Sequence, residues 1–317
     1  MPITPRKIIR KIRNLFIRII ESAEYAAGKN MSSREIQAEL EFLRLEVSRL
    51  SSIVRYLSEE KIQEMPIAKQ TQESFDFQWG QIPLGRYSLE NEQFRNEAAD
   101  FVCEFTALPP DWFNGKSVLD VGCGAGRYSW AMSSLGANVL SIDQSDYGLE
   151  KTAEVCSSFP NHRIKKVNLL EDIEINEQFD LVWSFGVLHH TGCTYGAFQK
   201  IVPLVKSQGF LFLMLYGEPR DGMVDDFRAV NEYERWRRQT RNLTLDQKLR
   251  VIETAMDDEK FMAKGEEHIE GYFDAISPMI ADLYSWSEIE SWLLSSGFEN
   301  IQRTVDTRNH HVVCVKS

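Results

Sequence analysis

The residues best able to do chemistry sit in one short stretch. Asp120, Gly122, Gly124 and Gly126 form a D-x-G-x-G-x-G turn, and Asp143 follows it. Ser117–Val121 is an apolar, β-branched run suited to a buried parallel strand. Tyr128–Leu135 reads as a helix, and Ala137–Ile142 as a second strand closed by Asp143. Strand, glycine turn, helix, strand, acid is a nucleotide-binding βαβ unit in outline. Its glycines let a ligand approach the backbone with no Cβ in the way. The spacing excludes two common variants. Arg127 stands where a G-x-G-x-x-G dinucleotide fingerprint needs its third glycine, and no G-K-[ST] follows as a phosphate-binding P-loop requires.

A second candidate is Val187-Leu188-His189-His190-Thr191, directly after the strand Phe179–Phe185. In a doubly wound sheet this is the carboxyl edge, where ligands bind. Histidine takes up a proton near neutral pH, so either His189 or His190 could be a base. Either could instead cap a helix or pack structurally.

The run VLDVGCGAG, with acids at both ends of the unit, is similar to the first motif of class I S-adenosylmethionine-dependent methyltransferases. The resemblance covers 115–217 firmly and 278–317 more loosely. It implies a Rossmann-like, doubly wound, seven-stranded, mostly parallel α/β sheet with a C-terminal antiparallel hairpin. It further implies S-adenosyl-L-methionine as cofactor, held by Asp120, Gly122, Gly124, Gly126, Asp143, Gln144, Asn168, Leu169 and Phe185. Asp143 would accept bonds from the ribose hydroxyls, and Asn168 stands where the family often carries an Asp beside the adenine. Lys165–Leu169 is expected as the third strand and its exit loop, Val202–Lys206 as a helix end, Phe210–Tyr216 as the fifth strand and Ser287–Leu294 as a helix.

Methyl transfer with proton removal by His189 or His190 would suit an O-methyltransferase of a small-molecule or glycan or lipid-linked acceptor. No Asn-Pro-Pro-Tyr or Asp-Pro-Pro-Tyr box of N-methylating enzymes is present. The alternatives are a catalytically silent cofactor-binding scaffold, an N-methyltransferase, or an enzyme transferring an aminopropyl group. Residues 217–286 exceed the short link of a minimal member of the family and read as a helical lid. Their Arg228, Tyr233, Arg235, Trp236, Arg237, Arg238 and Arg241 would either grip an acidic or sugar group or form a solvated face paired with acids. Phe75–Trp79 resembles a cap segment over the cofactor.

The elements around this core differ in character. The chain has 317 residues, 43% hydrophobic and 26% charged, an ordinary composition for a globular protein. Net charge is −11, but Arg6, Lys7, Arg10, Lys11, Arg13 and Arg18 make the first twenty residues +6. The remainder, −11 less those six, is about −17, which disfavours nucleic acid as a partner. Residues 5–20 read as a basic amphipathic helix that could lie on an anionic membrane surface, or pack on the protein itself. Ile36, Leu40, Leu43, Val47, Leu50, Val54 and Leu57 recur at heptad spacing, which predicts a coiled-coil homodimer through residues 33–60. Residues 1–64 are therefore read as a helical, coiled-coil extension and 65–317 as the catalytic domain, with 61–75 as a linker broken at Pro66. Five dispersed cysteines, Cys103, Cys123, Cys156, Cys193 and Cys314, suggest reduced thiols in the cytoplasm, and no structural metal cluster is expected, although Asp225 and Asp226 could be recruited. The interleaving of basic and apolar residues at the N-terminus argues against a cleavable signal peptide.

Overall fold

The computed structural model describes residues 66–82, 89–257 and 268–317. The basic helix expected over 5–20 and the heptad seam over 33–60 lie outside the described residues.

Seven strands form one sheet: β1 (Ser117–Val121), β2 (Asn138–Asp143), β3 (Arg163–Lys166), β4 (Phe179–Phe185), β5 (Val205–Leu215), β6 (Phe298–Arg303) and β7 (His310–Lys316). Their spatial order is β3-β2-β1-β4-β5-β7-β6. The first five pair in parallel, and β7 runs antiparallel between β5 and β6. This is the doubly wound, mostly parallel sheet with an antiparallel hairpin.

Side chains alternate across each strand, so each face collects its own core. Leu119, Val121, Val182, Leu211 and Leu213 face α5 (Thr194–Ile201) and α9 (Trp286–Ser295), meeting Phe198, Ile201, Ile289 and Trp292. Val118, Leu181, Trp183 and Phe212 face α2 (Glu92–Thr106) and α3 (Arg127–Ser134), meeting Phe94, Ala98, Val102, Ala131 and Met132. Trp183 stacks on Phe212 with ring centroids 4.1 Å apart. α4 (Asp146–Val155) packs against β2 and β3.

β1 feeds outward to β2 and β4 outward to β5, on opposite sides of the β1/β4 seam. The loops leaving these strands part there and open a crevice at the carboxyl edge.

The region after β5 is helical, as expected: α6 (Val224–Thr240), α7 (Leu245–Asp257) and α8 (Ile269–Ile276). A bridge between Gly217 and Tyr284 closes its base. Three expectations need correction. The segment read as a linker through residue 75 is helical from Pro66, in α1 (Pro66–Gln81). Proline is tolerated in a first helical turn, where its missing N–H has no partner to lose. Residues 202–206 do not end a helix; Val202–Leu204 is a single 3-10 turn, and β5 begins at Val205. The third strand starts earlier, at Arg163, and Val167–Leu169 belong to its exit loop.

α1 is bound to the insertion. Ile82 and Phe77 join Ile252, Phe273, Ile276 and Trp236 in a third apolar cluster. Thr71 Oγ1 accepts from the N–H groups of both Met279 and Ile280, Gln70 Nε2 donates to Ser277 O, and Ser74 Oγ donates to Ser277 Oγ. The buried Lys248 ammonium also donates to Ser277 O, at 2.7 Å, and burial pulls it down to about 8. Among the described residues, no helix is long and apolar enough to cross a membrane.

Candidate functional site

The turn after β1 is held from three sides. Its own glycines adopt left-handed φ, and Gly124 stands at +52°. A Cβ there would come within 2.7 Å of the Trp79 indole, so the cap helix rests directly on the turn. From α4, Thr152 Oγ1 donates to Gly124 O at 2.9 Å. From β2, Asp143 Oδ2 accepts the Gly124 N–H at 2.9 Å, and its Oδ1 accepts the Ser145 N–H at 2.8 Å. Each carboxylate oxygen keeps a second lone pair, so Asp143 can still accept bonds from a ligand in the crevice.

Asp120 lies behind the turn, 2% exposed. Ser129 Oγ donates to its Oδ2 at 2.5 Å, and Ser129 in turn bonds Ser141 Oγ, which bonds His162 Nε2. Burial pushes the Asp120 carboxyl up to about 7; the Ser129 hydrogen bond restrains the rise and the charge of Asp143 adds to it. Asp143 is also raised, by burial first and by the nearby charge of Asp76, against three backbone N–H bonds that stabilise its anion. Asp76 comes from α1. Its Oδ1 is buried and has no hydrogen-bond partner. Three carboxylates thus converge on one glycine turn. Such a site favours a cationic ligand and repels a pyrophosphate.

The remaining expected binders sit around the same edge. Gln144 is half-buried beside Asp143. Asn168 is engaged in its own turn: its Oδ1 accepts the Leu170 N–H and its Nδ2 donates to Glu171 Oε1. Leu169 is a core residue, leaving only its backbone for a ligand. Phe185, at the end of β4, packs with Tyr128 at 4.8 Å and Phe105 at 5.5 Å.

The 3-10 turn Leu188–His190 buries both histidines. His189 is 0% exposed, and neither ring nitrogen has a partner. Burial lowers it well below the ordinary histidine range, and the charges of His190, Arg237 and Arg308 lower it further. His190 Nδ1 lies 2.6 Å from Ile280 O. A carbonyl can only accept, so that nitrogen carries the proton and Nε2 presents a lone pair. Nε2 is buried without a partner. The Tyr216 ring lies tilted against that of His189 with centroids 3.9 Å apart, and its hydroxyl donates to Asp274 Oδ2 at 2.8 Å. Sequence reasoning missed Ser129 and Tyr216 as site residues, and both declare themselves only through the fold. Asp76 lies within the expected cap segment, and Asp274 within Tyr272–Pro278, a stretch whose sequence marks it as a further candidate lining of the pocket.

Of the arginines in the insertion, Arg228 and Arg238 pair with Asp225 and Glu234 within their own helix as a solvated face would, whereas Arg235 pairs with the buried Glu232. Asp226 is ion-paired with Arg220.

Residues 119–211 match the family model described as a methyltransferase domain. The chain is 36% identical over 107 residues to the ubiquinone biosynthesis O-methyltransferase of Haemophilus ducreyi, a match covering 31% of this chain and 44% of that one. It is 33% identical over 104 residues to the mitochondrial ubiquinone biosynthesis O-methyltransferase of Schizosaccharomyces pombe, covering 32% and 38%. The chain thus spans less than half the length of either relative. Among solved structures, it is similar to magnesium protoporphyrin IX methyltransferase of Synechocystis with bound SAM, at 14% identity and a TM-score of 0.46, covering 82% of this chain and 97% of that one.

Proposed function

Residues 119–211 are a methyltransferase domain of the class I type, and from that premise we propose that the chain transfers a methyl group from S-adenosylmethionine to a hydroxyl oxygen of a small-molecule or glycan or lipid-linked acceptor. The convergence of Asp76, Asp120 and Asp143 on the glycine turn carries this reading. S-adenosylmethionine brings an ammonium and a sulfonium, both cationic, where a dinucleotide would bring a pyrophosphate. When bound, it supplies an electrophilic methyl on sulfur, open to in-line displacement.

The protein's share is positioning and proton removal. Gly122 and Gly124, both at left-handed φ, would give the turn the curvature that cradles the methionine portion. Asp120 and Asp76 answer the ammonium charge, and Asp143 accepts from the ribose hydroxyls. Gln144, Phe185 and the backbone of Leu169 would line the nucleoside, and Asn168 would accept from the adenine amine through Oδ1, which keeps a lone pair beyond its bond from the Leu170 N–H. Gly126 supports the turn from behind. Holding two reactants in line can contribute roughly 7–11 kcal/mol to such a reaction. His190 takes the hydroxyl proton through Nε2, its tautomer set by Ile280 O. His189 sits behind it as a neutral packing partner. The O-methyltransferase relatives support a hydroxyl acceptor.

Calorimetry on the full chain tests this. S-adenosylmethionine should bind the parent and lose most of its affinity with Asp143→Ala. Uptake of NADH with no uptake of S-adenosylmethionine would overturn the reading. A mass gain of one methyl in an acceptor screen separates turnover from silent binding.

For the remainder of the chain we propose a homodimer through residues 33–60, contact of residues 5–20 with an anionic membrane surface, and a cytoplasmic setting. Leu43→Lys with Leu50→Lys should halve the mass seen by light scattering; an unchanged mass rejects the dimer.

A further inference from the structure

Tyr216, Val230, Tyr233, Arg237, Arg308 and Asn309 line a cleft of about 50 Å³ between the end of β5, α6 and the approach to β7. A water needs about 10–15 Å³ of such space, so the cleft admits a group of a few heavy atoms. Two arginines of different origin meet in it. Arg237 pairs with its helical neighbour Glu234, donating through Nη1 to Oε1 at 2.7 Å, and also donates through Nε to Ala275 O at 2.9 Å. Arg308 is the more telling. Its Nη1 donates to Gly217 O at 2.6 Å, and among the described residues no carboxylate pairs with it. Asp226, whose charge acts on it, is itself ion-paired with Arg220. A half-buried guanidinium with five N–H donors and one neutral acceptor is short of an anion.

The cleft is one side chain from the histidines, because Tyr216 both lines it and lies against His189. The charges of Arg237 and Arg308 also reach His189 and depress it. A negative group in the cleft would offset both.

We infer that the cleft holds an anionic oxygen group, a carboxylate or a phosphate, on the methyl acceptor, and that Arg308 and Arg237 are the residues selecting it. The acceptor is then an acidic hydroxyl compound whose anionic end docks under the insertion while its hydroxyl reaches the His190 side. This rests on the methyltransferase reading for what the ligand does, though not for the anion site itself.

The test uses the full chain without cofactor, titrated with benzoate, phenyl phosphate and neutral benzyl alcohol. One of the anions should bind and benzyl alcohol should not, and whichever anion is preferred names the group. Arg308→Met and Arg237→Met should each weaken that binding roughly tenfold or more, with Arg308→Lys intermediate. S-adenosylmethionine affinity, measured separately, should be unchanged in all three. Should Arg308→Met fail to fold, Arg308→Lys and Arg237→Met carry the comparison. Equal binding of benzyl alcohol, no binding of either anion up to solubility, or anion affinity indifferent to both arginines overturns the inference. Loss of cofactor binding by the parent would sink the methyltransferase reading alone.

Discussion

Ser129 Oγ donates to Asp120 Oδ2 at 2.5 Å, beneath the glycine turn and away from solvent. Burial of the Asp120 carboxyl, which the Ser129 bond only partly offsets, makes stability depend on pH in a defined direction. The unfolded Asp120 ionises near 3.8, whereas the folded carboxyl holds its proton to about 7. Between those values the folded state binds more protons, so its stability falls as pH rises, by about 4 kcal/mol in all. Below 3.8 the effect is absent, and above 7 it is complete. Asp120→Asn should abolish this component, seen as a difference from the parent in urea midpoints across the range. Because a cationic ligand favours the ionised carboxylate, S-adenosylmethionine affinity of the parent should rise with pH through 7 and then level off.

His310 and His311 impose the opposite slope. Burial brings both down from 6.5 to about 4, although His310 Nε2 donates to Tyr284 O at 2.7 Å. As pH falls through 6.5 the unfolded chain takes up protons that the folded one refuses, and stability is lost until about pH 4. Each contributes about 3 kcal/mol, so the two outweigh Asp120, and the melting temperature of the parent should drop between pH 6.5 and 4. Changing both to Gln should lessen that drop, leaving the share of His189 and His190; an unaltered slope would contradict the assignment.

Gly124→Ala should be among the most damaging small substitutions. Alanine at φ +52° is strained by about 1–2 kcal/mol, and its methyl would force Trp79 off the turn. We expect S-adenosylmethionine affinity to fall at least tenfold by calorimetry, with the sheet intact by circular dichroism. Trp79→Ala should weaken binding less, since it leaves the backbone free.

Thr71→Val removes one oxygen that accepts from the N–H groups of Ile280 and Met279, of which Met279 keeps a second acceptor in Gln70 Oε1. Leaving the Ile280 N–H unsatisfied costs about 1–3 kcal/mol. Hydrogen exchange should quicken in α1 and over 277–280, while β1 and β4 stay protected.

Asp76→Asn should weaken S-adenosylmethionine binding about tenfold and lower the Asp143 carboxyl, since the Asp76 charge raises it. A carbon-13 titration of Asp143 would read that directly.

What could be read from the chain in advance follows physical lines. β1 and β4 match their expected residues end for end because strands buried on both faces are largely apolar runs, broken here within the strands by Asp120, Asp180 and Ser184. The glycine turn and Asp143 were visible because they are local and fixed in spacing. β5 extends back through Lys206-Ser207-Gln208, a polar stretch with Gln208 at φ +61°, which no apolar pattern marks. α1 was hidden for a different reason. Its polar residues Gln70, Thr71 and Ser74 bond to residues 277–280, some two hundred positions away. Arg308 likewise owes its meaning to Gly217 and Arg237, which only the fold brings near it.

β6 precedes β7 in the chain yet lies outside it in the sheet. On a ribosome, β6 would therefore emerge with nothing to pair with until β7 has been made and has docked on β5. Up to that moment the apolar edge of β5 is bare, the kind of edge that recruits other chains. Chains cut short before residue 310 would keep that edge bare.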